Sequence, residues 1–378
     1  MERKSIIIVI IGIILVIQSI GAQTWTVDKR LTWNPGDSIF PDIAEDSNNQ
    51  IHLVWVDDTP GNYEIYYKKY LAVGNRWVTR RLTYNPGYSV DPVVALDSNH
   101  SIHILYEDNT PGNFEIFYKM STNGGATWAT ERLTFSSGES ISPAIAVDSN
   151  DYIHMIWCDN TSGDSEIYYV KSKGGESTWK PKRLTWTSDE SIHPAIAIDA
   201  NDHIHVVWSD LISEDLEIFY KKSTDGGSGW KTKRLTFNSG HSAHPAIAID
   251  SSNHIHVVWE DRSQGNYEIY FRSSTDGGSS WALKRLTYNP GFSNHPDIVV
   301  DNNDHIHVVW CDDTPGNFEI HYKQSVDGGL LWKTKRLTYM SGDSLLPAIA
   351  IDPLDRIYVA WGDQWPGDYE IYYKKGIQ

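Results

Sequence analysis

The sequence is poor in cysteine and in basic residues, and it has a single long apolar run. Two cysteines in 378 residues are too few for a disulfide scaffold or a thiolate zinc site. Lys and Arg number 32 against 49 Asp and Glu, which gives a net charge of −17. This balance argues against nucleic acid and anionic membranes as partners, because both bind basic protein surfaces. Helical periodicity is absent after residue 22, whereas 12% of the residues are aromatic, which indicates a folded chain without helices.

The apolar run lies at the N-terminus and predicts an export signal. A charged head that includes Arg3 and Lys4 precedes the run at residues 6–17, and small residues follow as far as Ala22. This order is typical of a secretory signal peptide, and the run is shorter than the roughly 20 apolar residues of a membrane span. We therefore predict cleavage after Ala22 and a secreted or periplasmic protein that has no membrane contact after signal removal. An uncleaved membrane anchor is the alternative.

The rest of the chain is one internal repeat. The tripeptide Arg-Leu-Thr recurs at a constant interval of 51 residues (81 − 30, for example), beginning at Arg30, Arg81, Arg132, Arg183, Arg234, Arg285 and Arg336. Each repeat contains four short β-rich runs, which in the fifth are residues 245–250, 255–261, 268–273 and 281–287. Repeats of this length are typical of β-propellers, in which each repeat is a four-stranded antiparallel blade. We name the strands A to D from the axis outward.

The two ends of the chain predict a closed ring of seven blades. The last repeat stops at a strand C, residues 370–375, and the mature chain begins with a strand D, residues 25–32. Together the two fragments make one complete blade. An open array would instead need atypical repeats to cover its ends. We therefore predict that residues 23–378 form a seven-bladed β-propeller that the N-terminal strand closes.

The turn between strands C and D has the pattern Ser-x-Asp-x-Gly-x-x-Trp, which is intact around Asp225, Asp276 and Asp327. This turn resembles the Asp-box (BNR) repeat of sialidase-like propellers, and the resemblance covers nearly all of residues 23–378. In that family the Asp box lies on the face opposite the active site. We interpret these residues as structural, because Asp and Gly build a hairpin turn and Trp fills the gap to the sheet.

Paired carboxylates also recur in every repeat. An Asp that ends strand B is followed by a Glu that opens strand C, as in Asp57 and Glu64. Such pairs are typical of glycoside hydrolases, but seven equal copies indicate scaffold. We predict that each Glu pairs with the Arg of Arg-Leu-Thr on the adjacent strand D. We also predict that each Asp caps a turn, in preference to binding calcium.

Histidine and cysteine occupy strand B at fixed positions. Six repeats carry a histidine there and the seventh carries Tyr358, so we predict packing residues that each have a hydrogen-bond partner; the histidines are His52, His103, His154, His205, His256 and His307. Cys158 and Cys311 follow the strand-B Trp in repeats three apart. A disulfide needs Cα atoms within about 7 Å, so we predict two free thiols.

The candidate site consists of residues that break the repeat. His193, His244 and His295 precede the Pro at the start of strand A, where the other repeats have Phe40, Asp91, Ser142 and Leu346. In a propeller these positions converge on the mouth of the axial channel. We predict a ligand site at His193, His244, His295 and Asp91, with Arg262 and Trp365 as further breaks in the B–C loops. A metal site and solvated loop histidines are the alternatives, and we predict neither a metal nor a cofactor.

The resemblance implies a sialidase, but the arginines do not fit one. Enzymes of that family hold the substrate carboxylate with three arginines and use a Tyr–Glu nucleophile pair and an acid–base Asp. Of the 13 arginines here, seven belong to Arg-Leu-Thr and only Arg262 lies in a B–C loop. We also find no carboxylate pair that is unique among the repeats.

We therefore predict no sialidase activity and favour a non-catalytic role. The predicted function is a monomeric, exported, non-catalytic module that binds a glycan or a cell-surface or extracellular protein at its loop face. The alternative is a glycan-cleaving enzyme, a glycoside hydrolase or a lyase, with non-standard site residues.

Overall fold

The computed structural model describes residues 23–71, 74–174, 179–365 and 367–377, so the predicted signal peptide lies outside the described residues. Within these ranges the chain forms 29 strands in seven antiparallel sheets. A search of the same ranges finds no helix long and apolar enough to cross a membrane. The predicted seven-bladed, all-β architecture is confirmed.

Each blade orders its strands A, B, C and D. Strand A of blades 1 to 7 is β3 (Ser38–Glu45), β7 (Ser89–Leu96), β11 (Ser140–Val147), β15 (Ser191–Ile198), β19 (Ser242–Ile249), β23 (Ser293–Val300) and β27 (Ser344–Ile351). Strand B is β4 (Ile51–Asp57), β8 (Ile102–Asp108), β12 (Ile153–Asp159), β16 (Ile204–Ile212), β20 (Ile255–Asp261), β24 (Ile306–Asp312) and β28 (Ile357–Asp363). Strand C is β5 (Glu64–Leu71), β9 (Glu115–Ser121), β13 (Glu166–Ser172), β17 (Asp215–Ser223), β21 (Glu268–Ser274), β25 (Glu319–Ser325) and β29 (Glu370–Ile377). Strand D is β6 (Arg76–Arg81), β10 (Ala129–Arg132), β14 (Lys182–Arg183), β18 (Lys231–Arg234), β22 (Ala282–Arg285) and β26 (Lys333–Arg336), and in blade 7 it is β1 (Thr24–Trp25) with β2 (Lys29–Arg30).

The first and last strands close the ring. Strand β1 pairs with β29 through Thr24 and Ile377, and β2 pairs with it through Lys29 and Tyr373. The Trp25 ring packs edge-on against Tyr322 of blade 6, with 4.9 Å between centroids. The predicted closure is confirmed, and it removes the exposed sheet edge that strand C of blade 7 would otherwise have.

The core lies between blades, on both faces of strand B. Every residue of β4 is buried, and the same holds for β8, β12, β20, β24 and β28. One cluster joins Ile43 and Trp55 of blade 1 to Ala348 and Tyr358 of blade 7. Because neighbouring blades cover both faces, strand B has no need of polar alternation.

The buried strand-B histidines are hydrogen-bonded, as predicted. In blades 1 to 4 and 6 the imidazole Nδ1 lies 2.7–2.9 Å from the hydroxyl of a strand-C tyrosine. In blade 5 Phe271 takes the place of this tyrosine, and His256 keeps one bond, to Asp250. Burial lowers the pKa of His52, so this imidazole packs in its neutral form.

The C–D turns tie each blade to the one before it. Asp225 accepts a hydrogen bond from the Gly229 amide at 2.7 Å, and Trp230 packs edge-on against Tyr169 of the preceding blade. Gly227 has φ +92°, and a Cβ there would lie 2.6 Å from the Tyr169 ring, so the turn requires glycine on both counts. The Asp and Gly contacts are the ones expected from the turn sequence, whereas the contact of the Trp with the preceding blade was not predicted.

The predicted ion pairs form in all seven blades. They join Glu64 to Arg81, Glu115 to Arg132, Glu166 to Arg183, Glu217 to Arg234, Glu268 to Arg285, Glu319 to Arg336 and Glu370 to Arg30. Each Glu side chain is at most 1% exposed and each Arg is 22–30% exposed. The arginine therefore compensates a buried charge, and its loss costs more than the loss of a surface pair.

Replacing Arg234 with Met should lower the free energy of unfolding by about 2 kcal/mol, because Glu217 would keep a buried, uncompensated charge. Urea denaturation measures this change. Met at Lys231, an exposed residue of the same strand, is the matched control and should change stability little. Adding Glu217→Gln to the Arg234 variant should recover part of the loss, and no difference between the Arg234 and Lys231 variants would contradict the role of the pair.

The ring closure can be tested in the same way. Trp25→Ala should lower the free energy of unfolding by about 2 kcal/mol, because it empties the junction of blades 6 and 7. Val27, which is 86% exposed, lies between β1 and β2 and supplies the control Val27→Ala. Equal stability of the two variants would show that the N-terminal strand does not hold the ring.

Candidate functional site

Each strand A contains a β-bulge at the axis. In blade 5 the register with strand B shifts between Ala243 and Ala246, and His244 within this bulge has φ +47°. The equivalent residue has positive φ in every blade, namely Phe40, Asp91, Ser142, His193, His244, His295 and Leu346. We expected these residues to precede strand A, but each is the third residue of the strand, so the three histidines are not in loops. The alternative of solvated loop histidines is therefore wrong.

The seven bulge residues surround a cavity of about 340 Å³ at the mouth of the axial channel. The prolines that follow them, together with Asp42, Asp297 and Val93, complete its wall. Cavities of roughly 300–1,000 Å³ are typical of small-ligand sites, so this one accommodates about one sugar ring or a similar group.

The three histidines form one tilted stack of imidazoles, with neighbouring ring planes inclined by 31° and 38°. The ring centroids of His193 and His244 are 4.0 Å apart, and those of His244 and His295 are 4.9 Å apart. Burial and the neighbouring imidazoles lower the pKa of His193 to about 3. Burial likewise lowers the pKa of His295. These two side chains therefore stay neutral at physiological pH and offer both a donor and an acceptor nitrogen.

A buried carboxylate holds the stack in place. Glu260, which is 5% exposed, lies 2.9 Å from His244 Nδ1 through Oε1 and accepts the backbone amide of His295 at 2.8 Å through Oε2. Burial would raise the pKa of Glu260, but these hydrogen bonds and the nearby imidazoles hold it below its usual value. Glu260 therefore fixes the orientation of one histidine and the backbone position of the next.

A second buried carboxylate lies at the equivalent place in blade 2. Glu107, which is 4% exposed, accepts the Ser142 amide at 2.5 Å and interacts with Asp91 of the ring. Burial and the charge of Asp91 raise the pKa of Glu107 well above its usual value, and burial raises that of Asp91. Both carboxyls are therefore more readily protonated than free ones, and the hydrogen bond between them lies beside the cavity.

The sequence analysis missed both glutamates. They occupy the strand-B position after the aromatic residue, where the seven repeats have Val56, Glu107, Cys158, Ser209, Glu260, Cys311 and Gly362. The statement that no carboxylate pair is unique among the repeats is therefore wrong. A charged residue in an otherwise apolar buried strand was the available signal, because such a residue must have a partner.

Two further carboxyls, Asp42 and Asp297, lie deeper in the channel. Each bonds the strand-A amide of the next blade: Asp42 accepts from Val94 at 2.7 Å and Asp297 from Ile349 at 3.0 Å. Four carboxylates thus bond backbone amides at the inner edge of the ring. These amides have no further strand to pair with, so side chains satisfy them.

The two cysteines of strand B lie behind the residues that line the cavity. Cys158 and Cys311 are buried free thiols, as predicted, and Cys311 Sγ lies 3.9 Å from His295 Nδ1. Burial raises the pKa of the Cys311 thiol to about 12, so the thiol stays protonated.

The structure brings together His193, His244, His295 and Asp91, but not Arg262 and Trp365. These two lie in B–C loops on the same face as the mouth, and neither is among the described residues that line the cavity. Arg262 lies over Tyr267 at 5.9 Å, and Trp365 is 45% exposed. The described part of the chain contains no group of three His, Cys, Asp or Glu side chains with metal-binding geometry.

The two recessed aspartates predict a pH dependence. Burial raises the pKa of Asp42 to about 7 and that of Asp297 to about 6. Both ionise near pH 4 in the unfolded chain, so the stability gained from their protonated forms is complete below about pH 4 and is lost as the pH rises through 6 and 7.

Replacing both residues with Ala, which blades 3, 4, 5 and 7 carry at this position, removes this loss. From pH 5 to pH 8 the double variant should become more stable relative to the wild type, as thermal unfolding measures. A stability difference that stays constant over this range would contradict the raised pKa values.

Comparison with known proteins supplies the fold and no closer identity. No family model and no curated protein matches the sequence. A PL25 ulvan lyase, solved bound to -[GlcA(1-4)Rha3S]-, is similar in structure, with a TM-score of 0.65 at 13% identity over 91% of this chain and 95% of that one. The polysaccharide lyase Uly1 aligns with a TM-score of 0.63 at 12% identity over 91% and 90% of the two chains.

Trypanosoma rangeli sialidase is a third structure of similar architecture. It aligns with a TM-score of 0.55 at 12% identity over 92% of this chain, which covers 59% of the sialidase chain. Identities this low are informative about fold alone. The chain therefore has the sialidase-like, seven-bladed β-propeller fold.

Proposed function

We propose that the protein is an exported glycan-binding propeller that holds one sugar unit in the mouth of its axial channel. The observation that carries this proposal is the stack of His193, His244 and His295 around the 340 Å³ cavity. These residues break the repeat at one position, where side chains from all seven blades converge. A concave site with a few polar groups is suited to a small ligand unit and less to the flat surface of a protein.

The chemistry of the mouth fits a neutral, hydroxyl-rich ligand. Neutral imidazoles at His193 and His295 offer hydrogen bonds to sugar hydroxyls without adding charge, and Asp91 contributes carboxyl oxygens to the same wall. Phe40 and Leu346 supply apolar surface on the same ring for the C–H groups of a pyranose. Arg262 and Trp365 lie outside the cavity and are assigned to sugar units that extend over the loop face.

Export is proposed from the sequence of residues 1–22, and the glycan is proposed to be extracellular or on a cell surface. The protein is proposed to act as a monomer, since the ring closes within one chain. A cell-surface or extracellular protein at the loop face is the alternative ligand.

Glycan cleavage is the second candidate function, and one contact favours it. The bond between Glu260 and His244 orients an imidazole at the cavity, as in an acid–base catalyst that a carboxylate positions. The structural neighbours include two polysaccharide lyases and a sialidase. The described residues that line the cavity include no arginine to hold a substrate carboxylate.

A glycan array followed by titration calorimetry tests the binding proposal. His244→Ala should reduce the affinity for the best soluble oligosaccharide at least tenfold. His254 is the matched control, because its side chain is 35% exposed against 36% for His244 and bonds an aspartate on the opposite face. Equal affinity of the His244 and His254 variants would remove the mouth from the binding site.

A second variant tests the part of the proposed site that lies outside the cavity. Replacing Arg262 and Trp365 together with Ala should weaken binding of long oligosaccharides and leave the fold intact, because both side chains lie in loops. Unchanged affinity would remove these two residues from the site.

Turnover separates the two candidate functions. The array glycans incubated with the wild type should show no new reducing ends, whereas hydrolysis and elimination both produce them. New reducing ends that disappear with His244→Ala and Glu260→Gln would establish cleavage and overturn the non-catalytic proposal. Release of sialic acid would do so as well.

A further inference from the structure

All exposed aromatic side chains of the described chain lie on one face of the propeller. They are Trp33, Phe40, Tyr84, Tyr88, Phe135, Trp186, Phe237, Tyr288, Phe292, Tyr339 and Trp365, and each belongs to a D–A segment, a B–C loop or the channel mouth. Among the described residues, the A–B and C–D turns of the opposite face expose Leu330, Leu331 and Leu354, and none of the exposed aromatic side chains lies there. An aromatic surface restricted to one face marks that face as a contact surface.

Seven of these rings form a regular circle, with one in each blade. They follow Arg-Leu-Thr directly, at Trp33, Tyr84, Phe135, Trp186, Phe237, Tyr288 and Tyr339, and they are 66–77% exposed. We call these seven residues the aromatic circle. Each of them follows a strand D, which is the outermost strand of its blade, so the circle lies on the outer part of the loop face.

The guanidinium of Arg-Leu-Thr holds each ring in position. The distance from the guanidinium carbon to the ring centroid is 4.4–6.0 Å in the seven blades. The arginine is itself fixed, because its Nε donates to a Thr carbonyl and its Nη2 to a buried Glu, as Arg81 does to Thr83 and Glu64. A ring held in this way loses little conformational entropy when a ligand stacks on it.

The charges around the circle favour an uncharged ligand. Each arginine is compensated by its glutamate, and the whole chain has a net charge of −17. An anionic polymer or an anionic membrane would therefore be repelled. The rings recur once in every blade, so they present the same apolar group repeatedly and match a ligand that repeats the same unit.

We propose that the aromatic circle binds the surface of an insoluble, uncharged polysaccharide. The apolar faces of pyranose rings would stack on the seven aromatic side chains, with the loop face of the disc lying flat on the polymer. Weak, equal contacts on one rigid body add up to strong binding, because each engaged ring raises the effective concentration of the next. This proposal goes beyond the axial site, since it assigns a different set of residues and a different form of glycan.

Sedimentation with microcrystalline cellulose and with crystalline chitin tests the proposal. The wild type should bind at least one of these solids and should not bind a pectate gel, which is anionic. The triple variant Trp186→Ala, Phe237→Ala and Tyr288→Ala, in adjacent blades, should bind at least tenfold more weakly. Changing the same residues to Leu, which keeps apolar cover over the arginines, should give the same loss with a retained fold.

A matched control uses the opposite face. Leu330→Ala, Leu331→Ala and Leu354→Ala remove side chains that are 63–76% exposed, and they should leave binding to the solid unchanged. His244→Ala should also leave it unchanged while it weakens binding of soluble oligosaccharides, so the two sites fail independently.

Three results would overturn the proposal. The first is a triple Ala variant that binds the solids as the wild type does, and the second is a wild type that prefers pectate. The third is a wild type that self-associates while the triple variant is monomeric, because a second copy would then cover the circle.

Discussion

The pairing of β1 and β2 with β29 is the contact on which the rest of the structure depends. No blade buries its own core, because strand B lies between two neighbouring blades and needs both of them. Closure gives every blade two neighbours and also fixes the axis. Once the axis is fixed, the third residue of each strand A must face the same point, and a difference at that position in one repeat becomes a difference in one common cavity.

The inner edge of the ring explains why polar residues collect there. Strand A has no further strand on its inner side, so its amides need other acceptors. Glu107, Glu260, Asp42 and Asp297 supply them, and each reaches from one blade to the next. The same carboxylates hold imidazoles or protons beside the cavity. A structural requirement of the fold therefore places titratable groups where a ligand enters.

The parts of the structure that repeat were predictable from the sequence, and the parts that do not repeat were only partly so. Seven copies of Arg-Leu-Thr and the complementary chain ends indicated the blades and their closure, and counting along the hairpins placed each Glu beside its Arg. The convergence of His193, His244 and His295 was predicted from their position before Pro in three repeats. Glu107 and Glu260 were missed because their partners come from strand A and the next blade, which sequence spacing within one repeat does not show.

The aromatic circle was missed for a different reason. The sequence analysis gives these repeated residues no role, and only their exposure of 66–77% distinguishes them from the buried Trp of strand B. Exposure depends on the way each strand D turns into the next strand A, and residue type alone does not determine it.

The central claim concerns the axial mouth, and a crystal structure with a bound oligosaccharide tests it most directly. The account predicts a sugar ring in the 340 Å³ cavity, within hydrogen-bonding distance of His193, His244 or His295. A sugar bound at the C–D turns of the opposite face, with the mouth empty, would contradict it.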